Sequence, residues 1–168
     1  TFQPLLQQLE RGSGAAVDDS VADALEKFDE PHINEAWSRA LDRRSVDPEG
    51  AITAARSLLE SVCKHILEDR GESYSDKDDL PKLYKQVSRA LNLAPSQHTE
   101  DAFRQILGGC VAVVEGLGTL RNRLSDAHGK GRARIVPAAR HAELAVNLAG
   151  AMAIYLVATH GARKEIDA

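Results

Sequence analysis

Aromatic side chains are scarce in this chain: three Phe, three Tyr and one Trp, 4% of 168 residues. Its core must be filled by Ala, Leu, Val and Ile, which suits packed helices better than aromatic-rich strands. No stretch alternates polar and apolar residues convincingly, and no internal repeat is visible, so β architectures and solenoids are set aside. Cysteine is nearly absent too. Cys63 and Cys110 stand alone in apolar patterns, which excludes a disulfide framework and reads as two reduced core thiols of a cytoplasmic protein. Cys63-Lys64-His65 with Cys110 does not reproduce zinc-ligand spacing, so no metal or other cofactor is expected. A surplus of positive charge is missing: 21 Lys and Arg against 25 Asp and Glu give −4, which argues against a general nucleic-acid coat. The scattered Tyr74, Tyr84 and Tyr155 offer no base-stacking platform. No secretory leader is evident. The most apolar run, Leu144 to Ala158, is interrupted by Asn147 and Gly150 and is short for a bilayer. We expect it to be the central buried helix, with no membrane partner.

What is present is helical periodicity. Hydrophobic residues make up 43% of the chain, enough for the core of one compact domain. Residues 1–45 read as an N-terminal helical extension: a short amphipathic set at Phe2, Leu5, Leu6 and Leu9, the flexible Gly12-Ser13-Gly14, a segment from Val17 to Phe28, and another from Ile33 to about Arg44. Residues 46–162 read as the main domain. Asp47-Pro48-Glu49 is a strong helix start, with an N-cap, a proline suited to the first position and an acid in the first turn. Ile52, Ala55, Leu59, Val62 and Ile66 follow at steps of three and four, and Gly71 ends the helix. Asp79 caps the next helix, whose apolar face is Leu80, Leu83, Val87 and Leu91. A long helix runs from about Thr99 to Leu124, and Pro137 opens a last one to about His160. The expected fold is an all-α bundle of four to six helices. The long helix contains Gly108, Gly109, Gly116 and Gly118, each costing about 1 kcal/mol of helix propensity relative to Ala. Close approach of another helix is the expected return. A phosphate loop would need a preceding strand and a Gly-Lys-Ser/Thr, and neither is there.

Charge is unevenly placed. Between residues 121 and 140, Arg121, Arg123, Lys130, Arg132, Arg134 and Arg140 face only Asp126, a local +5 that leaves −9 elsewhere. One anionic-ligand site on an acidic protein fits this better than a DNA coating. In the same window lies Arg121-Asn122, followed by Asp126-Ala127-His128-Gly129. Arginine grips phosphate in a fork, and histidine moves protons near pH 7. Seven residues put Arg121 and His128 on one helical face about 10 Å apart along the axis; a break near Ser125 would bring them closer. Attack of a ribose 2′-OH on phosphorus needs a proton acceptor, a proton donor and cationic stabilisation. One chain offers one His and one Arg of this motif. A two-fold homodimer would offer two of each at its interface.

These stretches resemble the HEPN superfamily of ribonucleases. Residues from about Asp47 to Thr159 are more narrowly similar to the abortive-infection C-terminal domain of bacterial defence proteins. The resemblance is carried by Asp47-Pro48-Glu49-Gly50-Ala51-Ile52, Asp79-Leu80-Pro81-Lys82-Leu83-Tyr84, Gly108-Gly109-Cys110, Val114-Glu115-Gly116-Leu117-Gly118, Leu120-Arg121-Asn122, Asp126-Ala127-His128-Gly129 and Arg140-His141-Ala142, about two-thirds of the chain. It implies a helical bundle, a two-fold dimer, and metal-independent RNA cleavage that leaves a 2′,3′-cyclic phosphate and a 5′-hydroxyl. It implies Arg121 as the motif arginine, Asn122 as the polar residue after it and His128 as the motif histidine. Arg123 also fits the loose pattern. Asp126 either orients His128 or caps a turn, and His141 is a supporting or surface residue. Lys130, Arg132, Arg134 and Arg140 are the expected RNA-backbone contacts. Phage defence or a toxin-like stress response is the implied setting, with an antitoxin or upstream sensor as partner. A non-catalytic dimeric module that binds nucleotide, RNA or a protein is the alternative.

Overall fold

Three of the helices begin where a proline meets a polar residue, and the structure shows why. This computed structural model describes residues 17–28, 30–127 and 136–168, with the backbone alone for 121 and 124–127. The expected amphipathic set at Phe2 to Leu9 and the Gly12–Gly14 linker lie outside the described residues. Six helices are described: α1 (residues 17–26), α2 (Pro31–Arg43), α3 (Pro48–Asp69), α4 (Leu80–Ala90), α5 (Asp101–Ala127) and α6 (Ala139–Asp167), with a single 3₁₀ turn at Pro95–Gln97. There is no strand among the described residues. The fold is all-α.

Local chemistry sets the boundaries. Asp47 Oδ1 accepts the Gly50 N–H at 3.0 Å and starts α3; Asp79 Oδ1 accepts the Lys82 N–H at 3.1 Å and starts α4. Gly50 has no Cβ because the Asp47 carboxylate occupies that space, its Oδ2 only 2.0 Å from where a Cβ would sit. Gly71 ends α3 at φ +69°, and the next N–H, Glu72, closes back on the Leu67 carbonyl at 2.8 Å. Asn92 ends α4 the same way at φ 60°, with the Leu93 N–H on the Ser88 carbonyl at 2.6 Å. The Glu100 side chain accepts the Ala102 and Phe103 N–H groups at 3.2 and 2.7 Å and begins α5.

The centre of the molecule is α3, not the apolar run in α6. Helix α3 packs on α2, α4, α5 and α6, and buries Ala51, Ile52, Leu58, Leu59, Val62, Cys63, Ile66 and Leu67. Each large apolar side chain so buried stabilises the fold by roughly 1.5–3 kcal/mol before entropy is counted. Helix α6 buries Ala142, Val146, Ala149, Ala153 and Leu156 on α3 but leaves Leu144 58% and Tyr155 37% exposed. Helix α2 sends Ile33, Ala36, Trp37 and Ala40 into the same core and packs on α3 and α6. Both α5 (Asp101–Leu120) and α6 are long and apolar enough to cross a bilayer by length and composition, yet α6 spends its apolar side on α3 and α2.

The glycines of α5 differ in what approaches them. Among the described residues, nothing lies within 4 Å of where a Cβ would stand at Gly108, Gly109 or Gly116, so no described helix closes on them. Gly118 does admit a neighbour: its Cβ position is 3.1 Å from Pro81 Cγ, so the first turn of α4 lies against α5 there. The tightest helix approach is instead in α6. At Gly150 a Cβ would meet Trp37 Cη2 at 2.8 Å and Cζ3 at 2.9 Å, so Gly150 admits the indole between α2 and α6.

Candidate active site and the groove beside it

The motif rides on α5, which stays helical through Ala127 without a break at Ser125-Asp126. Arg121, Asn122 and Arg123 therefore occupy three successive directions, each turned about 100° from the last. Asn122 and Arg123 are exposed. The side chains of Arg121 and Asp126, and all of His128, Lys130, Arg132 and Arg134, lie outside the described residues. Arg140 and His141 stand exposed in the first turn of α6. Among the described residues, no hydrogen bond or ion pair joins them to Asn122 or Arg123.

Asn122 opens into a hollow of about 290 Å³ whose other walls include Arg56, Asp79, Thr119 and Glu115. Arg56 was not singled out from the sequence. Its side chain is 9% exposed, and Nη2 lies 2.6 Å from Glu60 Oε1 one turn along α3. Burying a guanidinium requires such a partner. The signal was legible: Arg56 sits four after Ile52 and three before Leu59, in the apolar phase of α3, with an acid at i+4. The hollow thus sets an amide at its mouth and a paired cation in its wall.

Residues Asp79, Pro81 and Glu115 also wall a second, larger cavity of about 640 Å³ between α4 and α5. The two spaces meet at these shared residues. Lys82, Lys85 and Arg89 line the larger one from α4, and all three are exposed.

Another titratable cluster lies at the far end of α6, about 30 Å along the helix from Arg140. Buried His160 places Nε2 2.6 Å from Asp69 Oδ2, and Lys164 Nζ reaches the same oxygen at 2.5 Å. The Lys164 ammonium and then the His160 ring hold the Asp69 carboxyl below the usual carboxylate range. His65 Nδ1 lies 3.1 Å from Glu30 Oε1, and Phe28 packs on both histidine rings. These contacts tie the ends of α3 and α6 to the α1–α2 connection. Burial raises Cys63 to about 12, which makes it an inert core thiol. No three His, Cys, Asp or Glu side chains among the described residues are placed to hold a metal ion.

The family model Abi_C, described as a HEPN-like domain, matches residues 31–160. The chain belongs to this family. The match takes in α2 as well as α3 to α6, in keeping with the burial of Trp37 against Gly150. The matched span also contains Arg121-Asn122, near the C-terminal end of α5. No curated protein and no solved structure matches the chain.

Proposed function

We propose that this chain is a metal-independent endoribonuclease acting as a two-fold homodimer, in a cytoplasmic phage-defence or toxin-like system. The observation that carries the reading is Arg121-Asn122 on the long helix of a HEPN-like domain, with His128 seven residues after the arginine in the sequence. In this reading His128 transfers protons, Arg121 stabilises charge developing on phosphorus, and Asn122 orients the phosphate at the mouth of the hollow. Cleavage is transesterification: the 2′-oxygen bonds to phosphorus, the bond to the 5′-oxygen breaks, and that oxygen takes a proton. The test is incubation of total tRNA and mixed single-stranded RNA in EDTA, with the product ends identified chemically. Cutting that leaves 2′,3′-cyclic phosphate and 5′-hydroxyl ends is expected. RNA binding without turnover would favour the non-catalytic module instead.

Dimerisation is part of the proposal because one chain supplies one motif histidine. The surface it would use is supported by apolar exposure on two adjacent helices. Ile106 is 63% and Phe103 37% exposed on α5, and Leu144 is 58% and Tyr155 37% exposed on α6. The open positions at Gly109 and Gly116 lie one above the other on α5, seven residues apart. A second copy of this chain crossing at these glycines would cover the face and draw the two motifs together. Replacing Gly116 by Gln should therefore weaken the dimer at least about tenfold by sedimentation. The same change should raise the stability of the isolated bundle by up to about 1 kcal/mol through helix propensity. An unchanged dimer would place the interface elsewhere.

A further inference from the structure

The groove between α4 and α5 has features the motif does not use. Helix α4 carries Lys82, Lys85 and Arg89 and no acid, within a chain of net charge −4. The three cations step along one rim over about 10 Å. Lys82 Nζ is engaged by Asp78 Oδ1 at 2.6 Å. Lys85 and Arg89 make no ion pair among the described residues, although acids outnumber bases in the chain as a whole. The opposite wall, from α5, is apolar at half-buried Val111 and at Val114, which is buried. The groove then runs through Asp79, Pro81 and Glu115 into the hollow at Asn122. The capping bond to the Lys82 N–H already occupies one Asp79 oxygen.

We propose that this groove is the track for a single strand of RNA, with Lys85 and Arg89 holding backbone phosphates of nucleotides next to the one at Asn122. The inference rests on the ribonuclease reading and adds a substrate path to it. Unpaired cations along one rim suit successive phosphates, and an apolar opposite wall suits base faces. A cleft between two packed helices admits one strand more readily than a duplex, which is recognised across its wide minor groove. Glu115, exposed at the junction, repels phosphate. The strand therefore turns a base edge, not its backbone, toward that point, where a carboxylate accepts from an amino group.

The test uses the full chain and a short fluorescein-labelled single-stranded RNA with 2′-O-methyl riboses, which cannot be cut by 2′-OH attack. Binding is read by anisotropy across a salt series. Lys85→Ala with Arg89→Ala should weaken binding about tenfold and reduce the log–log salt slope by about 1.4, two phosphate contacts on a single strand. With unmodified ribose the same pair should raise KM for the oligonucleotide while leaving turnover of a dinucleotide, too short to reach Lys85 and Arg89 from the Asn122 hollow, unchanged. Lys27→Ala with Arg39→Ala removes equal charge near α1 and on α2, away from the groove, and should change neither. If the α4 pair binds like wild type, or the control pair loses as much, the track is overturned while the ribonuclease reading stands. Wild type that neither binds nor cuts would remove both.

Discussion

Replacing His128 by Ala is expected to lower RNA cleavage by at least about a hundredfold, with helical content, thermal midpoint and dimer unchanged. A positioned general acid or base contributes about 10² to 10⁴ in rate, and histidine is the side chain whose ordinary pKa lets it serve in either role near pH 7. In a two-fold site one histidine takes the 2′-OH proton while its mate protonates the leaving 5′-oxygen. The wild-type rate should then be bell-shaped in pH, falling on the acid side as the base becomes protonated and on the alkaline side as the acid loses its proton. Arg121→Ala should lose rate without moving the two limbs, because a guanidinium does not titrate in this range. Mixing the His128→Ala and Arg121→Ala proteins tests the geometry further. Mixed dimers hold one intact histidine and one intact arginine on opposite chains. Partial recovery on mixing would show a site assembled across the interface, while no recovery is the outcome expected if base and acid are both histidines and both are needed at once. Wild-type-like cutting by His128→Ala would overturn the assignment.

Helix starts and stops were the most legible part of this sequence because each is decided within a few residues. Asp47 and Asp79 accept the N–H groups three residues on, and Gly71 takes up a positive φ. None of those needs a distant partner. The α5 glycines were only partly legible, because their propensity cost says only that something compensates, not which surface does. At Gly118 it is Pro81; at Gly109 and Gly116 nothing among the described residues approaches. The central helix was misplaced for a related reason. An alanine-rich apolar run marks α6 as packed, but a helix apolar on most sides can still leave Leu144 and Tyr155 facing outward. Helix α3 carries as many charged residues as α6 in a shorter span and is nonetheless buried on several sides, with Arg56 paired to Glu60. For the candidate site, the sequence put Arg121 and Asn122 on one helix. The Arg56 hollow and the α4 rim needed the packing of α3 and α4 on α5, a long-range fact that no local pattern contains.

Gly150→Val should be among the most damaging single changes to the fold, destabilising it by about 2–3 kcal/mol and lowering the thermal midpoint by about 5–10 °C. The added Cβ would stand 2.8 and 2.9 Å from two ring carbons of Trp37 and 3.4 Å from Val21 Cγ2. The indole is 3% exposed and flat, so it cannot swing aside as the end of a lysine would. Helix propensity pulls the other way, since glycine inside α6 costs roughly 1 kcal/mol relative to Ala. Overlap therefore has to exceed that gain for the change to destabilise, and two contacts below 3 Å against a rigid ring ensure that it does. The double variant with Trp37→Leu separates overlap from any other defect. Trp37→Leu alone leaves a cavity, while the valine at 150 partly fills it, so the two changes together should cost at least about 1 kcal/mol less than their sum. Strict additivity would mean that the indole is not what the valine meets. Since α2 reaches α6 through this contact, the measurement also tells whether residues 31–43 are held in the same cooperative unit as α6.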